Sequence, residues 1–222
     1  MKPETRILLA VPTAGSVDAR TSAVVSLLNE RADVDVIFPV GRPTDYVRNA
    51  AVRLFLANRD YTHLFFLDSD TEPPLDALDR LLTLDAPLAV GCYACAMRNG
   101  LRWSLARRDD DGKYRLLERR PSTTEPFAVD AAGAGILLIR RHVLEAMTWP
   151  WFKWAESADG SQQSEDIYFY DKANAFGYTT VCDPTVLCRH QKTVDLTALL
   201  LLIEQRNNQK PGTRNKELNH VD

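Results

Sequence analysis

Residues 63–70 read HLFFLDSD, an apolar run that ends in two carboxylates. A continuous apolar run of this length is typical of a strand buried on both faces of a parallel sheet. The run predicts a strand over His63–Leu67, and the two prolines that follow the carboxylates prevent its continuation. Asp68 and Asp70 are therefore expected at the carboxyl end of a buried strand, where open α/β sheets bind their ligands.

Strands and helices alternate on both sides of this segment. Apolar runs predict buried strands over 6–13, 34–40 and 88–93, and apolar residues recur at helical spacing over 18–31, 45–58 and 75–82. This alternation predicts an α/β fold, with a doubly wound, mostly parallel sheet and helices on both faces. Later helices are predicted over 141–147, 167–176 and 196–205, with a last strand over 179–183.

Composition places the chain among globular proteins. Of its 222 residues, 45% are hydrophobic and 26% are charged, which excludes a disordered or fibrous protein. A chain of this length fits one α/β domain. The first residues run into a strand pattern without a signal-peptide core, and no apolar stretch approaches the ~20 residues that span a bilayer. We therefore expect a cytoplasmic protein without a membrane span.

The cysteines include a C-x-x-C pair, Cys92 and Cys95, which is compatible with redox chemistry or with half of a zinc site. The other two, Cys182 and Cys188, have a different spacing, and Cys92 follows an apolar run. Small buried thiols in a reducing compartment are the better interpretation.

Residues 98–120 carry eight arginines and lysines and four carboxylates. The turn signal Asp110-Asp111-Gly112 at the middle of this stretch predicts a hairpin. A polyanion such as nucleic acid is one possible partner of these cations. Because carboxylates interrupt the basic run, a solvated hairpin surface is the simpler interpretation.

The carboxylates of Asp68 and Asp70 suit a divalent cation. Carboxylate oxygens bind Mg²⁺ or Mn²⁺, and such ions keep positions open for water and substrate phosphates. A β-turn that uses Asp and Ser for local hydrogen bonds is the alternative, because a bare D-x-D is common.

The pattern from Ile7 to Asp70 resembles the nucleotide-sugar-binding half of family 2-like glycosyltransferases with the GT-A fold, whose D-x-D motif follows a similar strand. The resemblance implies that Asp70 binds the metal directly, while Asp68 contacts the ribose or approaches the metal through water. It also implies that Pro12 and Thr13 lie near the nucleobase.

Two later motifs extend the resemblance over residues 6–192. Ser164-Glu165-Asp166 resembles the Glu-Asp motif that begins the acceptor-side helix of this family, which implies a catalytic pair with Asp166 as the base. Helix capping by the same residues is a compatible alternative.

His190 lies where a late histidine often completes the metal shell of GT-A enzymes. A lone histidine otherwise serves more often as a structural hydrogen-bonding residue. Mixed oxygen and imidazole ligands favour Mn²⁺ over Mg²⁺ without excluding either.

Further substrate contacts are expected around these motifs. Arg48 and Asn49 resemble an Arg-Asn pair that precedes the D-x-D strand in this family, and Arg48 is either a donor contact or an ordinary helix arginine. Gly133 and Gly135 resemble the loop that lines the donor sugar, with Asp130 near a sugar hydroxyl. A bend that allows close packing is the alternative explanation of these glycines.

Two more residues are candidates for ligand contact. Trp151 belongs to an aromatic cluster over 149–154, which either stacks on a ligand or packs in the core. Lys192 is a candidate to assist the departing diphosphate.

These motifs together predict a metal-dependent glycosyltransferase that moves a single sugar from a nucleotide-diphosphate sugar to a hydroxyl acceptor, with an inverting course favoured by the resemblance. Residues 1–206 are expected to form one catalytic domain, with a nucleotide-sugar-binding half (1–95) and an acceptor-side half (96–206), followed by a polar tail (207–222). The acceptor is open among a small molecule, a protein, a lipid head group and modified DNA, and the oligomeric state is open as well.

Two rival functions remain in view. A nucleotidyltransferase would carry a glycine-rich phosphate loop with basic residues, whereas residues 10–16 contain one glycine and no lysine. A non-catalytic module of the same fold that binds a nucleotide or nucleic acid is the other rival.

Overall fold

The computed structural model describes residues 4–97, 100–156 and 162–208. Its helices are α1 (Ala19–Asn29), α2 (Thr44–Ala57), α3 (Ala77–Thr83), α4 (Arg141–Ala146), α5 (Glu165–Ala175) and α6 (Leu196–Asn208). Its strands are β1 (Ile7–Ala10), β2 (Val34–Ile37), β3 (His63–Leu67), β4 (Thr71–Glu72), β5 (Leu88–Cys92), β6 (Ala94–Met97), β7 (Gly100–Trp103), β8 (Leu105–Arg108), β9 (Tyr114–Leu116), β10 (Phe127–Val129), β11 (Ala131–Ala132), β12 (Ile136–Arg140), β13 (Ala155–Glu156), β14 (Gln162–Gln163), β15 (Thr180–Leu187) and β16 (Arg189–His190). Among the described residues, none of the helices combines the length and the apolar character needed to cross a bilayer.

The central sheet has the strand order β10-β15-β5-β12-β3-β1-β2. β1 pairs in parallel with β2 and with β3, and β15 pairs in parallel with β5. β12 runs antiparallel between β3 and β5, and β10 runs antiparallel to β15 at the edge. The sheet is therefore mostly parallel, and the carboxyl ends of β1, β2, β3, β5 and β15 lie at the same edge.

Both faces of the sheet are covered by apolar packing. Phe66 of β3 belongs to the core cluster that contains Phe55 of α2, whereas Phe65 belongs to the cluster that contains Leu28 of α1. Successive side chains of a strand point to opposite faces, so β3 is buried on both sides. The unbroken apolar run predicted this two-sided burial, and the doubly wound arrangement is confirmed.

The bounds of several elements differ from the sequence-based prediction, including the end of β15 and the start of α5. β15 continues beyond its predicted end at Asp183, because the pairing with β5 shifts register between Cys182 and Leu187 and so carries the strand past Pro184. α5 begins at Glu165, before the predicted start of the helix. The second difference places both carboxylates of the Glu-Asp motif in the first helical turn.

The basic stretch takes part in two pairs of antiparallel strands, one of which is the predicted hairpin. β6 pairs with β7, and β8 pairs with β9 around the predicted turn. Carboxylates neutralise several of its arginines: Arg102 lies 3.4 Å from Glu118, and Arg115 lies 2.7 Å from Asp109. These ion pairs favour the solvated hairpin surface over a polyanion site. Arg98 lies outside the described residues.

The chain divides into two compact units, residues 1–191 and 192–222. α6 belongs to the second unit. The catalytic domain over residues 1–206 stays a prediction. The predicted polar tail begins within α6, and its residues 209–222 lie outside the described part of the chain.

Candidate functional site

The D-x-D segment lies at the carboxyl end of β3 and is held by its own and neighbouring backbone. Asp68 N donates to Gly135 O at 3.0 Å, and Thr71 N donates to Asp68 O at 3.0 Å. Asp18 N, at the start of α1, donates to Ser69 O at 2.8 Å. The loop after β1, the end of β3 and the start of β12 therefore meet at the two carboxylates.

A short ladder brings His190 to Asp70. β16 pairs with β4, which places His190 opposite Thr71, and Gln191 N donates to Asp70 O at 2.8 Å. His190 Nε2 then lies 3.3 Å from Asp70 Oδ1. The structure brings together two of the three predicted metal ligands, although they are far apart in the sequence.

The ring of His190 carries its hydrogen on Nδ1. This nitrogen lies 2.8 Å from Ala94 O, and a carbonyl oxygen can only accept a hydrogen bond. In the neutral ring, the Nε2 lone pair therefore faces the carboxylate of Asp70, and two acceptors repel unless a proton or a metal ion lies between them. A backbone carbonyl on the other ring nitrogen is the usual support of a metal-ligating histidine. The pair fits a divalent cation whose remaining ligands are phosphates and water.

Asp68, the third predicted ligand, is engaged differently. Its Oδ1 accepts a hydrogen bond from Arg48 Nη2 at 2.7 Å. Within the described residues, no group of three or more His, Cys, Asp or Glu side chains is arranged to hold a metal ion. The predicted set of three ligands is therefore not assembled here: Asp70 and His190 form a pair, whereas Asp68 pairs with Arg48.

Arg48 lies beneath the site. Its side chain is 3% exposed, and its guanidinium carbon lies 5.2 Å and 5.9 Å from the ring centres of Phe66 and Phe152. Its Nε lies 3.5 Å from Glu165 Oε1. Burial lowers the pKa of Arg48, but the charges of Asp68 and Glu165 outweigh burial, so the net shift is upward. The predicted donor contact is corrected to two ion pairs, because almost no guanidinium surface is left for a ligand.

The two carboxylates of the Glu-Asp motif have different environments. Glu165 is buried, and burial raises its pKa, an effect that the charge of Arg48 partly offsets. Asp166 is partly exposed, and its Oδ1 accepts a hydrogen bond from the Ser164 hydroxyl. Ser164 occupies the N-cap position of α5 without making a side-chain cap bond, so its hydroxyl orients Asp166 instead. Asp166 is thus the motif carboxylate with surface for an acceptor.

Sequence reasoning missed Tyr93, which packs at the centre of the site. Its hydroxyl accepts a hydrogen bond from Gly135 N at 3.1 Å, and its ring meets that of His190 edge-on at 5.0 Å. A Cβ atom on Gly133 would lie 2.1 Å from this hydroxyl oxygen. Burial raises the pKa of Tyr93 well above its ordinary value, and the charge of Asp68 adds to this. The glycine pair was the signal for such a close approach, and close packing accounts for both glycines.

Asn49 and Trp151 are structural residues. Asn49 Nδ2 donates to Phe152 O at 2.7 Å, and Asn49 Oδ1 accepts from Trp151 N at 3.0 Å. Trp151 is 7% exposed, and its indole N–H donates to Leu144 O at 3.1 Å and to Met147 O at 3.0 Å. Their predicted substrate contacts are corrected, because these bonds satisfy their polar atoms inside the protein. Asn49 therefore binds residues 149–154, the aromatic loop, to α2.

Pro12 and Thr13 lie in the loop after β1, where the nucleobase is expected. Both are buried, and Thr13 Oγ1 donates to Ser16 O at 2.5 Å and accepts from Gly15 N at 3.1 Å. These bonds shape the loop, and the nucleobase contact stays a prediction.

Asp130 and Lys192 are the two remaining predicted substrate contacts. Asp130 Oδ2 accepts a hydrogen bond from Arg108 N at 2.8 Å, which ties it to the end of β8. Lys192 is the first residue of the second unit. Their contacts with a sugar hydroxyl and with a diphosphate stay predictions.

A separate cleft of about 700 Å³ lies at the opposite edge of the sheet, and its lining includes His63, Arg140 and His142. It contains none of the predicted site residues. The candidate site is therefore located by its cluster of charged side chains and not by cavity volume.

Comparison with known proteins supports the fold. No family model and no curated protein matches the chain. The structure of A197 from STIV is similar, with a TM-score of 0.60 and 21% identity over 85% of this chain and 87% of A197. GalNAc-T7, crystallised with UDP, GalNAc and Mn²⁺, is similar with a TM-score of 0.54 and 12% identity over 87% of this chain and 45% of that chain. Identities this low show the fold alone: the chain has a glycosyltransferase-like α/β fold of the GT-A type, as the sequence predicted.

Proposed function

We propose that the chain is a metal-dependent glycosyltransferase that moves one sugar from a nucleotide-diphosphate sugar to a hydroxyl acceptor. The observation that carries the proposal is the Asp70–His190 pair, 3.3 Å apart at the carboxyl edge of the sheet. Ligands collect at this edge in open α/β folds. Burial is the main cause of the raised pKa of Tyr93, and the charges of Asp68 and Asp166 raise it further. Carboxylates from both halves of the site therefore influence the pKa of one residue.

On the donor side, Asp70 Oδ1 and His190 Nε2 would hold the divalent cation. The imidazole ligand favours Mn²⁺ over Mg²⁺. When bound, the cation neutralises the charge that builds up on the departing nucleoside diphosphate, as a Lewis acid. Asp68 is 28% exposed and keeps Oδ2 to accept a hydrogen bond from a ribose hydroxyl or from water.

On the acceptor side, Asp166 is the proposed base. It takes the proton of the acceptor hydroxyl while that oxygen bonds to the anomeric carbon and the bond from this carbon to the diphosphate oxygen breaks. In an inverting course, attack and departure take place on opposite faces of the sugar. Glu165 is buried, so we do not assign it the role of base.

A panel of nucleotide sugars with Mn²⁺ tests the proposal, scored by donor-dependent thermal stabilisation and by release of the nucleoside diphosphate. We expect a donor that stabilises the wild type only when Mn²⁺ is present. Asp70→Ala should remove this stabilisation, because it removes one of the two proposed metal ligands. Asp166→Asn should keep it and lower kcat by about 10²- to 10⁴-fold, the usual contribution of a general base.

The matched control is Asp79→Asn. Asp79 is an ion-paired aspartate with a 60% exposed side chain outside the site, so its replacement should change neither readout. The proposal fails if no nucleotide sugar binds with Mn²⁺, or if Asp70→Ala binds the donor as the wild type does. A nucleotidyltransferase would instead release pyrophosphate when it is given a nucleoside triphosphate and a sugar 1-phosphate, because the phosphate of the sugar displaces pyrophosphate from the triphosphate.

A further inference from the structure

One buried guanidinium joins the donor and acceptor sides of the candidate site. Arg48, from α2, donates through Nη2 to Asp68 at the end of β3 at 2.7 Å. Its Nε faces Glu165 in the first turn of α5 at 3.5 Å. Glu165 is followed directly by Asp166, the proposed base. On the basis of the proposed function, we infer that Arg48 is a positioning residue, which fixes Asp166 relative to the donor-side carboxylate of Asp68 without touching either substrate.

Burial makes stability alone a poor explanation of this arginine. The side chains of Arg48 and Glu165 are 3% and 9% exposed, so both charges have lost most of their hydration. Buried ion pairs are weak contributors to stability, because desolvation cancels much of the attraction, and apolar residues often replace them without loss. A planar guanidinium can donate from Nη2 to Asp68 while its Nε edge faces Glu165, an arrangement that an ammonium group cannot reproduce with the same geometry. The arrangement therefore specifies geometry.

The contacts of Arg48 with the two carboxylates are unequal. The contact with Asp68 is a short hydrogen bond, whereas Nε has no hydrogen-bond acceptor among the described residues. Arg48 is thus anchored on the donor side and attracts Glu165 mainly by charge. The charge of Arg48 lowers the pKa of Glu165 against the larger effect of burial, so its loss would favour the protonated, neutral form of Glu165.

A second set of contacts, through Phe152, also connects α2 with α5. The ring of Phe152 stacks on that of Phe169 of α5, with centroids 4.6 Å apart and an interplanar angle of 6°. The backbone of Phe152 is held by Asn49, and its ring lies beside the Arg48 guanidinium. The orientation of α5 therefore depends on adjacent residues of α2.

The test is a double-variant cycle of Arg48→Lys and Glu165→Gln, with kcat, the acceptor KM, donor affinity with Mn²⁺, and the folded fraction measured for each protein. Arg48→Lys keeps the charge and loses the two-carboxylate geometry. We expect kcat to fall about 100-fold, as for a misplacement of about 1 Å at a reacting centre. Donor affinity and the folded fraction should change much less. Because both residues act through one contact, the double variant should lie within about threefold of Arg48→Lys alone.

The matched control is Arg80→Lys. Arg80 also pairs with a buried carboxylate, that of Asp183 at 3.3 Å, but it lies outside the site. Its replacement should leave kcat unchanged, so a fall in kcat limited to Arg48→Lys separates positioning from a general effect of losing an arginine ion pair.

The outcomes distinguish this inference from the proposed function. If the wild type transfers no sugar with any donor, the proposed function fails. Two results with an active wild type would overturn the positioning role of Arg48. One is a double variant whose loss of kcat equals the product of the losses of Arg48→Lys and Glu165→Gln. The other is a loss of activity that equals the loss of folded protein in each variant. If Arg48→Lys does not fold, Glu165→Gln alone decides: a lowered kcat with intact donor affinity supports the inference, and an unchanged kcat overturns it.

Discussion

Gly133 lies where the backbone passes close to a buried side chain. A Cβ atom at this position would lie 2.1 Å from the Tyr93 hydroxyl oxygen and 3.0 Å from its Cζ. Gly133→Ala should therefore lower the free energy of unfolding by roughly 1–3 kcal/mol, the usual cost of an overpacked core. Denaturant unfolding measures this loss.

The companion substitution Tyr93→Phe removes the oxygen that meets this Cβ. In the Tyr93→Phe background, Gly133→Ala should cost clearly less than it does in the wild type, since the closest remaining atom is Cζ. Equal costs in the two backgrounds would show that the hydroxyl is not what excludes a side chain at Gly133.

Individual residues also show the limit of sequence patterns. Asp68 and Asp70 could be placed from the sequence because they end an apolar strand, and the ends of parallel strands share one edge. Arg48 and Trp151 could not, because a helical arginine or a loop tryptophan has the same sequence signature whether it faces a ligand or is buried. The difference depends on residues of other segments, such as Glu165, that cover them.

At the scale of elements, hydrogen bonds from α2 hold the acceptor side of the site in place. Asn49 holds the aromatic loop, and Asp45 Oδ2 accepts a hydrogen bond from Trp154 N at 3.3 Å. β13 and β14 pair Ala155 with Gln163, and these residues are the direct sequence neighbours of Trp154 and of Ser164 at the start of α5. Trp154 is 48% exposed, so it is the member of the aromatic loop that lies near the proposed base and has surface for an acceptor.

Trp154→Ala should raise the acceptor KM about 10-fold or more, because stacking on an aromatic side chain contributes roughly 1–3 kcal/mol. Donor affinity with Mn²⁺ should not change. The matched control is Trp149→Ala, since Trp149 is 63% exposed and lines a different cleft together with Leu56 and Arg59. Initial-rate kinetics with varied acceptor measure the effect, and similar KM values for both variants would remove Trp154 from the acceptor subsite.

At the scale of the whole molecule, the two edges of the sheet have different chemistry. The carboxyl edge carries the carboxylate cluster, whereas the opposite edge carries the cleft that includes His63 and His142. Burial, followed by the charges of Arg140 and His142, lowers the pKa of His63 to about 4. His63 is therefore neutral in the folded protein at neutral pH.

This shift predicts a pH dependence of stability. The unfolded chain binds the proton of His63 near pH 6.5 and the folded chain near pH 4, so the contribution of neutral His63 is present above pH 6.5 and is lost as the pH falls to about 4. The loss should be roughly 1–2 kcal/mol, after allowance for the partial exposure of the ring. His63→Gln should flatten the stability curve between these pH values, measured by denaturant unfolding.

The exposed ring of His142 supplies the comparison. His142→Gln should change the slope less than His63→Gln does. A stability curve of His63→Gln parallel to that of the wild type across this window would contradict the shifted pKa.

The sequence by itself determined the α/β class, the alternation of strands and helices along the first half of the chain and the strand end that carries Asp68 and Asp70. These features follow from local periodicity and from the rule that unbroken apolar runs are buried on both faces. The late histidine and the Glu-Asp motif were identified by resemblance to a family, and the pairing of His190 with Asp70 required the β4–β16 ladder.

Only the tertiary structure decided which polar side chains face the site and which lie beneath it. Arg48 and Asn49 are adjacent on one helix, and their partners, Asp68, Glu165 and Phe152, come from three other segments. A buried charge or amide must find its partners wherever the fold brings them, because an unpaired polar group in the interior is costly. Sequence spacing along one element does not contain that information.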